Sequence, residues 1–340
     1  MASPAQRFLF LKNQLIKFCV LNISKKYWMP VLALCLVIGA ASAAIIVIKS
    51  ANNTINIFTE AKNECPGIKW LSVADTLHGA HPISVEGELY FAGERVPLED
   101  PEVKERLERE LVINSYWHSN TILGMKMANR YFPEIEKVLT ANGVPSDFKY
   151  MALVESNFRL EASPAGAVGF WQFVKGTAKV YDIEMNDEVD ERFNVEKSTQ
   201  AACTYLKDAK DKLGNWTMAA ASYNMGLAGM MLRAKEQKMN NYYDMYFNPE
   251  TSRYVFRMLA MKIIFSNPKN AGFKLGTNDL YAPYKYKVVQ VDTSIASIAD
   301  FAAQFGLKYK HIKTLNPWLR DAKLTNKEHK KYEIKIWDLE

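Results

Sequence analysis

The stretch from Gly143 to Phe173, GVPSDFKYMALVESNFRLEASPAGAVGFWQF, most constrains what this chain can fold into, because a carboxylate stands inside an apolar helical stripe. Pro145 and Ser146 are helix-starting residues, and Asp147 in the first turn faces the positive end of the helix dipole. Phe148, Met151 and Ala152 follow at i, i+3 and i+4. Position i+7 of that stripe is Glu155, in the last turn of its helix. Burial disfavours an ionised carboxylate, and so does the negative end of the dipole. At the ordinary pKa of about 4.3, roughly one glutamic acid in 500 is protonated at pH 7. At a pKa of about 6 the fraction is roughly one in ten, a difference of about 2.3 kcal/mol between the two protonation states. A carboxyl group held in that way is equipped to act as a general acid. The competing reading is a glutamate turned to solvent at a frayed helix end, or paired with Arg159.

After this helix come Ser163-Pro164 and then Gly166-Ala-Val-Gly169-Phe-Trp-Gln172-Phe173. Two glycines just before a Trp-Gln pair imply a backbone held close against something. Gln172 offers both an acceptor and donors, and Trp171 offers a flat apolar face. Sugars call for that combination. The alternative is a turn followed by a core tryptophan.

Glu155-Ser156, the Gly166–Gln172 run, Thr177-Ala178, Val189-Asp190-Glu191-Arg192, Ser222-Tyr223-Asn224-Met225-Gly226 and Glu250-Thr251-x-x-Tyr254-Val255 follow one another in the order seen in lytic transglycosylases. The chain resembles their Slt-type group, in particular the membrane-bound murein transglycosylase D-like branch, over roughly Glu134 to Phe265. The resemblance implies a lysozyme-like α-helical catalytic domain acting on peptidoglycan. It implies Glu155 as the general acid and base, with Ser163, Gln172, Tyr223 and Asn224 positioning the sugar and its N-acetyl group. Glu250 falls in the cleft by the same resemblance, although its place at a helix start also suits a cap. Ordinary glycosidases need two carboxylates. Glu161, Asp190 and Glu191 are the candidates for a second, all in polar stretches. One acid suffices where the muramic C6 hydroxyl is the nucleophile, which is the family's route to 1,6-anhydro ends. The alternatives are a hydrolytic muramidase and a non-catalytic peptidoglycan-binding anchor. Lys175-Gly176 and Phe170 depart from the family pattern and bear on loop shape alone.

At the front of the chain, Tyr27 to Ile48 is a run of 22 residues without a charge. As a helix it spans about 33 Å, enough to cross a bilayer. The first 50 residues carry six basic side chains and no acid, which accounts for the whole formal charge of +6. The basic balance is therefore a topology signal. It places a tail, residues 1–26, in the cytoplasm, an anchor at 27–48 in the inner membrane, and the body in the periplasm. It gives no reason to expect a nucleic-acid partner. A cleaved signal peptide with Ala41-Ser42-Ala43 as its processing site is the competing reading, and it also exports the body. Cys65 and Cys203 would then share an oxidising compartment. No metal and no cofactor are expected, since the sequence has no Cys-x-x-Cys and no histidine cluster.

The expected fold is mainly α, a lysozyme-like catalytic domain with a transmembrane helix before it and a small LysM-like βααβ module after it. Residues 49–80 read as a stalk. Residues 81–132 read as a helical brace with a hairpin around Glu86-Gly87, and the charged run Glu102–Glu110 as a solvated face. In the brace a helix starts at Asp100-Pro101, and Ile135, Val138 and Leu139 mark a separate short helix closed at Asn142-Gly143. The catalytic domain spans 133–266, with helices opened by Asn194 and closed by Gly214, from Thr217 to near Gly226, and from Glu250. Residues 267–284 have the composition of a linker. Residues 285–340 read strand, helix, helix, strand and resemble a LysM module, with Asn316 at the family's asparagine. Val291 and the Ile336-Trp337 pair depart from that module's usual pattern.

Overall fold

The computed structural model describes residues 69–70 and 83–338. The run 27–48 and Cys65 lie outside the described residues. Among the described residues no helix is long and apolar enough to cross a membrane. The fold is mainly helical, with three small two-stranded sheets. Strand β1 (Lys69–Trp70) pairs antiparallel with β2 (Val85–Glu86). Strands β3 (Leu89–Phe91) and β4 (Glu94–Val96) form the hairpin, in the register Leu89↔Val96. Its turn is Ala92-Gly93, not Glu86-Gly87. Both turn residues have positive φ, 52° and 81°, which a two-residue type I′ connection requires. Gly87 joins β2 to β3, and those two strands do not pair with each other.

Asp147 fixes this hairpin to the body. It is buried, accepting the Ala92 N–H at 2.7 Å and Lys262 Nζ at 2.8 Å, so it serves as a tie between elements. Glu94 of β4 reaches across to take the N–H groups of Trp216 and Thr217 at 2.6 and 2.8 Å, satisfying orphan donors at a helix start.

Helix α1 (Pro101–Tyr116) is capped by Asp100 and buries Val103, Leu107 and Leu111. Glu110 lies on the same buried stripe at 1% exposure, so the charged run is not wholly a solvated face. Helix α2 (His118–Ala141) is continuous through Pro133 where the sequence suggested two helices. Phe132, Ile135 and Leu139 keep one buried face across the proline, and that packing holds the turn together. A 3-10 turn (Ser146–Phe148) leads into α3 (Lys149–Ser156), and α4 (Lys175–Val180) follows. Helix α5 (Val195–Leu213) is capped by Asn194, α6 (Trp216–Met225) by Asn215, and α7 (Leu227–Gln237) comes next. Helix α8 (Pro249–Ser266) packs along α1 and against α3 and α6.

The C-terminal module is strand β5 (Tyr286–Val291), helices α9 (Ile298–Ala303) and α10 (Tyr309–Leu315), and strand β6 (Tyr332–Trp337). The strands pair antiparallel from Tyr286↔Trp337 to Val291↔Tyr332. Asn316 is fully buried; its amide donates to Ile312 O and Lys335 O and accepts Lys335 N–H, locking α10 to β6. The segment before the module lies against α2. Tyr281 N–H donates to Lys126 O at 3.3 Å, and the Arg130 guanidinium sits 4.0 Å over the Tyr284 ring.

Candidate active site

Helix α3 delivers Glu155 because its other face has nowhere else to go. Phe148, Met151 and Ala152 are wholly buried, which fixes the rotation of the helix and brings Glu155 into the lining of a cleft. The helix stops one residue later. Asn157 and Phe158 take left-handed backbone conformations, φ 49° and 56°, and Ser156 Oγ accepts the Phe158 N–H while donating to Phe170 O at 3.0 Å. The Glu-Ser pair thus divides its work, the serine tying the helix end to the following loop.

Glu155 is half-buried and accepts a short hydrogen bond from the Tyr254 hydroxyl on α8. Its pKa is pushed up to about 7, chiefly by burial. The Tyr254 hydrogen bond opposes the rise, the charge of Glu250 adds to it, and the charge of Arg257 opposes it. Burial first, and then the neighbouring Glu155 charge, lifts Tyr254 well above the ordinary tyrosine value, so it stays a donor. The raised pKa keeps far more of the carboxyl protonated at neutral pH than an ordinary glutamate would be.

The cleft holds about 460 Å³. Glu155, Ser163 and Gln172 line it together. Ser163 Oγ accepts the Ala167 N–H at 3.0 Å, shaping the loop. Gln172 adopts φ 48° and turns Nε2 toward Gly169 O at 2.8 Å, while no described residue donates to its Oε1. The loop glycines do approach something closely, and it is protein. A Cβ at Gly169 would lie 1.9 Å from Arg192 O, and the Arg192 guanidinium binds Gly166 O and Phe173 O. Trp171 is fully buried with its indole N–H on Thr199 Oγ1 at 2.8 Å, so it is a core residue and offers no face to a sugar.

Tyr223, Asn224 and Glu250 do not line this cleft. The Tyr223 hydroxyl donates to Trp171 O at 2.7 Å, beneath the loop that carries Gln172. Asn224 Oδ1 accepts from Thr251 Oγ1 at 2.8 Å, joining the end of α6 to α8. Glu250 is exposed in the first turn of α8, where Asn248 supplies the cap, and it acts on Glu155 through charge. Of the candidate second carboxylates, Glu161 lines the cleft and is exposed, Asp190 pairs with Arg192 at 2.7 Å, and Glu191 is buried, accepting the Glu184 N–H.

Sequence reasoning passed over four further residues of the cleft lining. Glu110 and Trp117 line the cleft from α1 and its junction with α2, and Arg253 and Arg257 line it from α8. Glu110 is held by Arg253 at 2.6 Å and by Arg109 at 2.9 Å. Its place three residues after Leu107 on a buried stripe was the available signal. Among the described residues no group of His, Cys, Asp and Glu side chains is arranged to hold a metal ion.

Two family profiles match the chain. "Transglycosylase SLT domain" covers residues 133–252, and "Soluble lytic transglycosylase C-terminal LysM-like domain" covers 287–338. Membrane-bound lytic murein transglycosylase D from two strains of Escherichia coli, K12 and O6:H1, is 27% identical over 266 residues. The alignment covers 75% of this chain and 57% of each relative, so the chain spans little more than half their length. The X-ray structure of an inactive mutant of lytic transglycosylase Slt from Pseudomonas aeruginosa is 17% identical. That match covers 51% of this chain and 34% of the other at a TM-score of 0.33. With both profiles matched in this order, the chain carries a transglycosylase SLT domain followed by a LysM-like domain of the kind found at the C-terminal end of soluble lytic transglycosylases.

Proposed function

We propose that this chain is a peptidoglycan lytic transglycosylase that cleaves between N-acetylmuramic acid and N-acetylglucosamine. Glu155 protonates the glycosidic oxygen as the bond to muramic C1 breaks. It then takes the proton of the C6 hydroxyl as that oxygen closes onto C1. The products are a free 4-hydroxyl on N-acetylglucosamine and a 1,6-anhydro muramic end, and no water is consumed. The observation that carries this reading is the Glu155 carboxyl group in the cleft lining, free of any ion pair with a basic side chain among the described residues, its pKa pushed up to about 7 by burial. The Tyr254 hydroxyl steadies the carboxylate left after proton delivery. Glu110, the other buried carboxylate in the cleft, is ion-paired with two arginines and so is poorly placed to serve as a nucleophile or base. Ser163 and Gln172 would meet the sugar directly. Tyr223 and Asn224 would act through the loop and helix they hold, and Glu250 through its charge. The substrate puts the body outside the cytoplasm, with 27–48 as its anchor in the inner membrane.

Mass spectrometry of digested sacculi tests the chemistry. Anhydro ends are the expected product, and reducing muramic ends would show a hydrolytic muramidase instead. Glu155→Gln should lower cleavage by about 10²–10⁴-fold. Undiminished cleavage by that variant would remove Glu155 from the mechanism, and a wild-type chain that binds sacculi without cutting them would be an anchor.

A further inference from the structure

Trp117 is a large aromatic residue left 55% exposed in the wall of the cleft that holds Glu155. It sits between α1 and α2 with its backbone fully engaged. Its N–H donates to Ile113 O at 3.0 Å, and its carbonyl accepts the Thr121 N–H at 3.1 Å. Buried bonds from Thr121 Oγ1 to Asn114 O, 2.6 Å, and from Asn114 Nδ2 to Glu110 O, 2.8 Å, stiffen the junction. The ring is therefore presented by a rigid base.

Its distance from the acid is fixed as well. Asn157, two residues past Glu155, donates through Nδ2 to both the carbonyl and the side-chain oxygen of Asn120 at 3.0 Å. One turn further along α2, a Cβ at Gly124 would come within 2.5 Å of Asn157 Oδ1 and 3.3 Å of Leu153 Cδ1. Helix α2 is thus pressed against the end of α3, and Trp117 lies within one helical turn of that contact, about 5 Å along the axis.

We infer that Trp117 is a carbohydrate-stacking residue, its indole supporting the face of a pyranose ring beside the bond that Glu155 addresses. The inference rests on the reading of this cleft as a glycan site. An exposed indole on a rigid junction gains by covering its apolar face, and a pyranose offers an apolar face of C–H groups of matching size. The cleft otherwise presents mostly charged and amide side chains, among them Arg159, Glu161, Gln172 and Arg257, which suit hydroxyl and carboxylate groups at the ring edges. The platform that sequence reasoning sought in Trp171 is thus supplied by Trp117 in the cleft lining, before the residues that the SLT profile covers.

The test uses soluble oligosaccharides of alternating N-acetylglucosamine and N-acetylmuramic acid. In the Glu155→Gln background, Trp117→Ala should weaken their binding by about tenfold or more. Trp117→Phe and Trp117→Tyr should recover most of that loss. Tyr246→Ala, which alters a side chain 87% exposed and outside the cleft, should bind as its parent does. With Glu155 intact, Trp117→Ala should raise KM more than it lowers kcat, at an unchanged melting temperature. Equal affinity of Trp117→Ala and its parent overturns the inference, as does a loss that phenylalanine and tyrosine fail to relieve. If the wild-type chain cleaves sacculi while Trp117→Ala binds normally, the inference alone fails. If the wild-type chain releases nothing, the proposed function fails.

Discussion

Glu155 is held between opposed influences, and each can be removed singly. With the pKa at about 7, kcat/KM should be highest on the acidic side and fall as pH rises through 7. Tyr254→Phe removes a hydrogen bond that lowers this pKa. The alkaline limb of the pH profile should therefore move upward while kcat drops, and a limb moving downward would contradict the assignment. Stability carries the same sign. The folded pKa lies above the unfolded value of about 4.3, so the folded state binds the extra proton between the two. Stability is then fully present below the unfolded pKa and is lost as pH rises through 7. Glu155→Gln should be more stable than its parent at pH 8 by about 1–3 kcal/mol and near parity at pH 4, measured by denaturant melts. Glu155 was legible because it breaks an apolar period. Glu110 breaks one too, but it sits inside a charged run that masked the pattern. Its partner Arg253 lies 143 positions away, where no local rule looks.

The elements around the site are held by a few contacts that single changes should undo. Gly169→Ala would put a methyl group into Arg192 O at φ +78°, so the Gly166–Phe173 loop must shift. The expected loss is about 2 kcal/mol or more of stability, with cleavage falling further than stability because Gln172 moves with the loop. Unchanged melting and activity would show that the close approach is not required. Glu110→Gln leaves Arg253 without its charge partner between α1 and α8. It should cost about 1–3 kcal/mol, less than a fully buried pair because Arg253 is partly exposed. Helix limits were readable where a side chain near the terminus sets them, as with Asp100 and Asn194, whereas the last catalytic-domain helix starts at Pro249 under an Asn248 cap that was not read. The hairpin turn and the unbroken α2 were not. The turn depends on which strands find partners, and the proline in α2 is overruled by packing on the opposite face.

At the scale of the molecule, the C-terminal module is built into the catalytic body. Val168, Val189 and Phe193 from the body share one apolar cluster with Trp318, Leu319 and Ile334 from the module. Backbone bonds cross the same boundary, from Asp190 N–H to Trp318 O and from Arg320 N–H to Glu188 O. Around them the charges are complementary. Lys335 sits between Glu134 and Glu196, 2.5 Å from the latter, and Lys323 is 3.4 Å from Glu188. Burial first, and then Glu196, pushes the Glu134 carboxyl above the ordinary carboxylate range. The strand-helix-helix-strand order could be read from local pattern, but this docking could not, since its partners lie up to 201 positions apart and each patch alone resembles ordinary surface. A module on a free tether would melt by itself. A module sharing a core should melt with the body, so calorimetry of residues 55–340 should show one transition. Removing 285–340 should expose the three body residues and lower the melting temperature of the remainder by roughly 5–15 °C. Two transitions in the intact body, with an unchanged melting temperature after truncation, would mean that the shared cluster does not couple the two. Because Val168 lies in the loop that carries Gln172, the coupled case makes a further demand. Truncation must then disturb cleavage of short glycans that never reach the module, and an unaffected rate on a tetrasaccharide would show that the module serves the site only by holding substrate.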